Sequence, residues 1–266
     1  MTRIGIAGAG GRMGKTLINR VIDYPNLELT AAIECEDSPV VGLDPGTLGG
    51  TDEFGFLVVS DIATVLDSFD VLIDFTNVES TLENVTACRA ANKRVVVGTT
   101  GLSDHGGFLK EASSDIPIMF APNMSIGVNI CFQVLNMVAK AIGDDYDIEI
   151  IESHHRGKVD APSGTALKMG EIIAEALGRD LNECAIYGRE GITGPRENKT
   201  IGFETIRAGD IVGEHTALFA GTGERIEITH RASDRANFAN GALRAASWLT
   251  GKESGLYDMI DVLGLR

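Results

Sequence analysis

The first 125 residues alternate short, continuous apolar runs with segments of helix length, and that alternation limits the fold more than any other feature of the chain. The runs are RIGIAG, LELTAAIE, DVLIDF, KRVVVGTT and IPIMFAPN; among them lie GKTLINRVID, ESTLENVTACRAA and GGFLKEASS. A strand with water on one side alternates apolar and polar residues, whereas one buried on both sides stays apolar throughout. Continuous runs parted by helices therefore predict βαβ units: an α/β, doubly wound Rossmann-type domain with a parallel sheet over residues 1–125.

The pattern then changes. SIGVNICFQVLNMVAKAIG has Ile126, Ile130, Val134, Met137, Val138 and Ala141 at helical spacing, which predicts a helix capped by Ser125 and burying that stripe. DIEIIESHH reads as a strand, followed by one helix near Thr165 to Leu177 that Gly178 ends. TIGFETIRAG, DIVGEHTALFA and ERIEITHRAS then follow as strands with no helix between them, so a mixed or antiparallel sheet is expected in a second, α+β domain, 126–234. DRANFANGALRAASWLTGK is helical again and opens the C-terminal segment, 235–266.

With 23 basic against 38 acidic residues, the formal charge of -15 disfavours nucleic acid and anionic membranes as partners. No run of about 18 apolar residues suggests a membrane span, and MTRIGIAGAGGRMG is too short and too glycine-broken for a secretory signal. A cytoplasmic location is expected. Cys35, Cys88, Cys131 and Cys184 stand singly, so neither a disulfide framework nor a metal site is suggested. Cys131 raises a thiol-dependent aldehyde dehydrogenase as a possibility, although its place inside a helix favours burial over reactivity.

Chemistry enters at GAGGRMG, which follows the first strand and opens a helix. Glycines there permit a tight turn and bring backbone amides and a helix N-terminus to a pyrophosphate. Gly8, Gly11 and Gly14 are evenly spaced, and Glu34 ends the next strand about 20 residues on, where an acid accepts hydrogen bonds from a ribose. The same residues also approach a P-loop: AGGRMGKT lacks only the first glycine of GxxxxGK[ST], and Asp74 could stand for a magnesium-binding acid. Thr76, the turn Gly98-Thr99-Thr100-Gly101 and Ala121-Pro122-Asn123-Met124 lie at strand ends, where small and hydroxyl side chains let a nicotinamide approach the backbone or merely make turns.

A second concentration of chemistry is ESHHRGKVDAPSGTA, in which His154, His155, Arg156 and Lys158 cluster where a strand exits. Beside it Ser163 or Thr165 caps a helix, so the amides of Gly164 and Thr165 join the cations in what reads as a dicarboxylate receptor. A histidine near pKa ~6.5 exchanges protons at neutrality, while a lysine near ~10.4 is a proton source or charge partner. A solvated loop with packed histidines is the plainer alternative.

Taken together these stretches resemble the 4-hydroxy-tetrahydrodipicolinate reductases (dihydrodipicolinate reductases) of the diaminopimelate route to lysine. The likeness rests on GAGGRMG, DFT at Asp74 to Thr76, GTTG at Gly98 to Gly101, APNMSIGVN at Ala121 to Asn129, EIIESHHRGKVDAPSGTA at Glu149 to Ala166, and RAGDIVGEHT at Arg207 to Thr216. It implies reduction of 4-hydroxy-tetrahydrodipicolinate to tetrahydrodipicolinate with loss of water, using NADH or NADPH. It further implies that His154 is an acid/base residue and Lys158 a proton donor, with His155, Gly164 and Thr165 holding substrate carboxylates. Gly8, Ala9, Gly10, Gly11, Arg12, Met13, Glu34, Gly98, Thr99, Thr100, Ala121, Pro122, Asn123 and Met124 resemble the cofactor contacts. The family's architecture implies a C-terminal helix returning to the nucleotide domain and a homotetramer built on the second sheet. Where some members carry an arginine after the acid, this chain has Cys35, which leaves Arg12 as the nearest cation for a 2′-phosphate and favours NADH. A P-loop NTPase and a non-enzymatic dinucleotide sensor are the alternatives.

Overall fold

A computed structural model describes residues 1–266, Ser103 by its backbone only. The chain divides into two compact units, Met1–Ile126 together with Arg235–Arg266, and Gly127–Asp234.

In the first unit the apolar runs form β1 (Thr2–Ala7), β2 (Leu27–Ile33), β3 (Val71–Asp74), β4 (Arg94–Val97) and β5 (Pro117–Phe120). The intervening helices are α1 (Arg12–Val21), the short α2 (Pro45–Gly49), α3 (Val78–Ala90) and α4 (Gly106–Ala112). A sixth strand, β11 (Gly255–Tyr257), comes from the C-terminal segment and gives the order β11-β5-β4-β3-β1-β2, all parallel. Strand order reverses beside β1, the crevice where doubly wound sheets place ligands.

Period-2 geometry splits each run between two cores. Val71 and Ile73 face a layer with Leu17, Ile18, Leu243 and Ala246, the latter two from helix α8 (Ala236–Leu249), while Leu72 faces Val85, Cys88, Leu109 and Ala112 of α3 and α4. Each fully buried Leu, Ile or Val contributes about 1.5–3 kcal/mol of hydrophobic stabilisation before chain entropy is set against it. A capping box at Asp258 starts the last helix, α9 (Met259–Leu263), which packs Met259 and Val262 into the α8 side.

The second unit carries α5 (Ile126–Ile142), which begins at the last residue of the first unit, then β6 (Asp147–His154), α6 (Gly164–Ala176), α7 (Leu181–Cys184), β7 (Ala185–Tyr187), β8 (Ile201–Arg207), β9 (Gly213–Gly221) and β10 (Glu224–Ala232). Its sheet runs β10-β9-β6-β8-β7 and is mixed: β6 pairs parallel with β8 and antiparallel with β9. α5 and α6 bury one face through Leu135, Ala139, Met169 and Ile173 against Ile148, Ile150, Phe203 and Phe219.

The stripe expected to be buried on α5 is not the one that the fold buries. Ile130 and Met137 are 44% and 63% exposed, and the buried residues are instead Val128, Asn129, Leu135 and Ala139. The helix is apolar on almost every side, so its period alone does not choose a face. No helix among the described residues is long and apolar enough to cross a membrane.

Candidate functional site

In the first unit the glycine loop lies between β1 and α1, beyond the carboxyl ends of the strands. Gly8 turns the chain at φ +77°, and Gly11 is the N-cap of α1 and donates its amide back to the Gly8 carbonyl at 3.0 Å. A Cβ on Gly14 would lie 2.1 Å from that carbonyl oxygen and 2.7 Å from Ala9, so only glycine lets the helix start this close to the strand. No side chain caps α1, and Ala9 is buried while Arg12 is exposed and Met13 half-buried. Glu34, directly after β2, accepts from the Gly10 amide at 2.8 Å and the Cys35 amide at 2.9 Å. A tight glycine turn, a helix N-terminus without a side-chain cap and a flanking carboxylate fit a dinucleotide.

The neighbouring strand ends are tied together by Asp74, which is fully buried. Its Oδ1 accepts from the Thr76 amide and hydroxyl at 2.9 and 2.6 Å and from the Thr81 and Thr99 hydroxyls at 3.2 Å; its Oδ2 accepts from Asn84 at 2.9 Å. A carboxylate occupied on both oxygens and closed to solvent does not present itself to a magnesium ion, and Lys15 points to solvent, so the P-loop arrangement is absent among the described residues. The Asp74 network fixes the turn carrying Gly98, Thr99 and Thr100: Thr99 is buried, Thr100 is exposed, and Gly98 donates to the Asp74 carbonyl at 2.8 Å. After β5, Ala121 and Met124 are buried, Pro122 is exposed, and Asn123 accepts the Ser125 amide at 2.9 Å.

In the second unit β6 places its even-numbered residues inward: Ile148 and Ile150, then Glu152 and His154. Two polar groups thus continue an apolar row, and both find partners. His154 Nδ1 lies 2.5 Å from Glu152 Oε2. Arg207, opposite His154 on β8, grips the same carboxylate with Nη1 at 2.9 Å and Nη2 at 2.7 Å. The Ser163 amide and Thr205 hydroxyl donate to its Oε1 at 3.1 and 3.3 Å.

Ser163 is also the N-cap of α6, its hydroxyl accepting from the Ala166 amide at 3.2 Å and meeting His215 Nε2 at 2.9 Å. The first helical residues are therefore Gly164 and Thr165, and Gly164 is exposed with no atom within 4 Å of where a Cβ would stand. His155 is half-buried, Arg156 is exposed, and Lys158 Nζ is held by both oxygens of Asp160 at 2.7 and 2.9 Å. Asp160 is in turn bound by its carbonyl to Arg207 Nη2 at 2.6 Å.

The electrostatics follow from burial and pairing. Burial pushes the Glu152 carboxyl up, but Arg207 and His154 outweigh it and hold the group below its ordinary range, hence ionised. Burial lowers His154 and wins against the raising effect of Glu152, so the imidazole rests neutral. His215, packed edge-on to His154 with ring centroids 5.0 Å apart, is driven down to about 3 by burial and is neutral as well. The hydrogen bond to Lys158 holds Asp160 below the usual carboxylate range. Cys131 goes the other way: burial raises its thiol within α5, which removes thiolate character.

The second unit thus brings together His154, Lys158 and the α6 start within one strand-loop-helix segment. Sequence reasoning passed over Glu152, Ser163 beyond its capping role, Thr205, Arg207 and His215. The inward parity of β6 was a usable signal for Glu152; the other partners lie 11 to 63 residues away from it and come into reach only through strand pairing and the loop's path.

Comparison with known proteins covers both units. Residues 2–124 match the family model for the dihydrodipicolinate reductase N-terminus, and residues 127–263 that for the dihydrodipicolinate reductase C-terminus. A curated 4-hydroxy-tetrahydrodipicolinate reductase from Hahella chejuensis (strain KCTC 2396) is 60% identical over 267 residues, covering 100% of both chains. Among solved structures, a dipicolinate-bound dihydrodipicolinate reductase from Paenisporosarcina sp. TG-14 aligns over 98% of each chain with a TM-score of 0.75 at 24% identity. An amine dehydrogenase from Mycobacterium smegmatis aligns over 96% of this chain and 94% of its own with a TM-score of 0.57 at 12% identity, a likeness of fold.

Proposed function

The chain belongs to the dihydrodipicolinate reductase family and acts as a 4-hydroxy-tetrahydrodipicolinate reductase in lysine biosynthesis, and from that premise we propose how its residues divide the work. A nicotinamide dinucleotide supplies the hydride when bound. Gly8, Ala9, Gly10, Gly11, Arg12 and Met13 cradle its pyrophosphate, Glu34 takes its ribose, and Gly98, Thr99, Thr100, Ala121, Pro122, Asn123 and Met124 receive its nicotinamide end.

His154 and Lys158 carry the proton traffic. Net reduction adds a hydride and a proton and releases water, so an acid must protonate the departing hydroxyl as its C–O bond breaks. Lys158 Nζ is that donor, and it leaves Asp160 to reach the substrate. His154 relays protons through Nε2. The Gly164 and Thr165 amides at the α6 N-terminus, with His155, bind the two substrate carboxylates, where the helix dipole favours an anion. The observation that carries this reading is the joining of His154 to that helix start through Glu152 and Ser163.

We infer further that NADH serves at least as well as NADPH. The Glu34 carboxylate repels a 2′-phosphate, and Cys35 offers it no charge. A homotetramer in the cytoplasm completes the reading: α5 and α6 cover one face of the second sheet, while Ile206, on the opposite face of β8, stays 47% exposed, ready for other copies.

Reduced-cofactor absorbance tests the reading when the freshly made condensation product of pyruvate and aspartate semialdehyde is added, with NADH and NADPH in parallel. Oxidation of both, NADH at least as fast, is expected; strong NADPH preference would overturn the specificity. Sedimentation at micromolar protein tests the tetramer, which a monomeric mass would rule out.

A further inference from the structure

Glu152 lies outside the division of labour just given, yet it is the most heavily engaged side chain of the second unit. It is 1% exposed and accepts from five donors on three stretches of chain: His154 on its own strand, both guanidinium nitrogens of Arg207 and the Thr205 hydroxyl on β8, and the Ser163 amide ahead of α6. A buried carboxylate so surrounded is an acceptor only. The hydrogen in the 2.5 Å contact with His154 therefore belongs to Nδ1, which leaves Nε2 with the lone pair. Nε2 faces Gly213, where a Cβ would stand only 3.0 Å from it, so any other residue there would crowd that nitrogen.

We propose that Glu152 is a positioning residue for the reaction: it fixes His154 as the Nδ1–H tautomer with Nε2 as the proton-exchanging nitrogen, and through the Ser163 amide it holds that nitrogen in register with the carboxylate-binding start of α6. The inference rests on His154 being the acid/base residue. Arg207 is the other half of the device. Paired in two-pronged fashion to the same carboxylate, it neutralises the charge that would otherwise draw a proton permanently onto the imidazole.

The groups facing His154 are few: Glu152 on β6, Arg207 on β8, His215 on β9, and Lys158 in the loop, with Asp160 behind it. Removing Glu152 or Arg207 therefore moves the histidine in opposite directions. In Glu152→Gln the raising carboxylate is gone while burial and Arg207 remain, so His154 titrates lower. In Arg207→Gln the carboxylate is unopposed, so His154 titrates higher.

The test is nitrogen-15 NMR of the histidine rings in the full chain, with the His154 signal assigned by its loss in His154→Gln, together with turnover and cofactor titration. Expected in the unsubstituted protein at pH 8 is the Nδ1–H tautomer. Glu152→Gln should lower turnover on the order of 100-fold, within the range of acid–base contributions, with cofactor affinity unchanged. Its pH-rate limb should shift opposite to that of Arg207→Gln, and Glu152→Asp, which keeps the charge but withdraws it by one methylene, should recover part of the turnover. An Nε2–H tautomer in the unsubstituted protein overturns the proposal whether or not the variants fold. So do shifts of the same sign in the two variants. Full turnover in His154→Gln would instead sink the acid/base reading beneath it.

Discussion

On the proposed reading the glycine loop of the first unit and the strand-loop-helix segment of the second both hold anions, and they do it with opposite materials. The first presents backbone: a tight glycine turn, a helix start without a side-chain cap, and Gly14 packed so closely that one methyl group does not fit. The second presents side chains, with His154, Glu152, Arg207, Ser163 and His215 in one hydrogen-bonded cluster and the Lys158–Asp160 pair beside it. Backbone amides carry no titratable proton, so the first site is governed by shape. The second is governed by protonation, and perturbing each should fail in its own way.

The largest separation is expected from His154→Ala, which should lower kcat by about 10²–10⁴-fold while equilibrium binding of NADH is unchanged; equal losses in both would erase the distinction. The pH dependence comes next. His215 ordinarily titrates at 6.5 and is held near 3 in the fold, so below 6.5 the unfolded chain binds a proton that the folded chain refuses. Its contribution is complete above 6.5 and is lost as pH falls toward 3. Melting temperatures should drop across that window, and His215→Gln should flatten the slope; a flat profile in the unsubstituted protein would show that the histidine is not held neutral.

Gly14→Ala attacks the other site by shape alone. Overpacking against Gly8 and Ala9 should cost about 1–3 kcal/mol in denaturant unfolding and weaken NADH binding, with no change in the pH-rate limbs. Ser163→Ala removes the α6 cap and the partner of His215, and about 1 kcal/mol of stability is expected to go with it. The smallest effect belongs to Gly164→Ala. Nothing lies within 4 Å of the added methyl, so stability should hold or rise by about 0.4–1 kcal/mol from the stiffer unfolded chain. A large loss there would mean the helix start is packed more tightly than its exposure shows.

The same contrast decides what the sequence revealed. Buried parallel strands must be continuously apolar, so β1 through β5 can be read directly, as can GAGGRMG between β1 and α1, where turn and chemistry share one short stretch. The helix start beside the cations was legible for the same reason: SHHRGKVDAPSGT is contiguous. Three-residue strands such as β7 and β11 leave no period to detect. The face of α5 was misread because its residues are apolar around most of the circumference. Arg207 and His215 reach Glu152 and Ser163 only through the pairing of β6 with β8 and β9, and sequence carries no register between strands 50 residues apart. Glu152 itself was within reach, because it occupies the inward parity that Ile148 and Ile150 establish.

On the proposed division of labour, one set of residues binds the cofactor and another moves the protons. Lys158→Ala tests it most directly, with NADH fluorescence titration and the rate of NADH oxidation by fresh condensation product measured on one preparation. Unchanged cofactor affinity is expected, with turnover reduced on the order of 100-fold or more. Turnover equal to that of the unsubstituted protein, or cofactor affinity falling in step with turnover, would contradict that division.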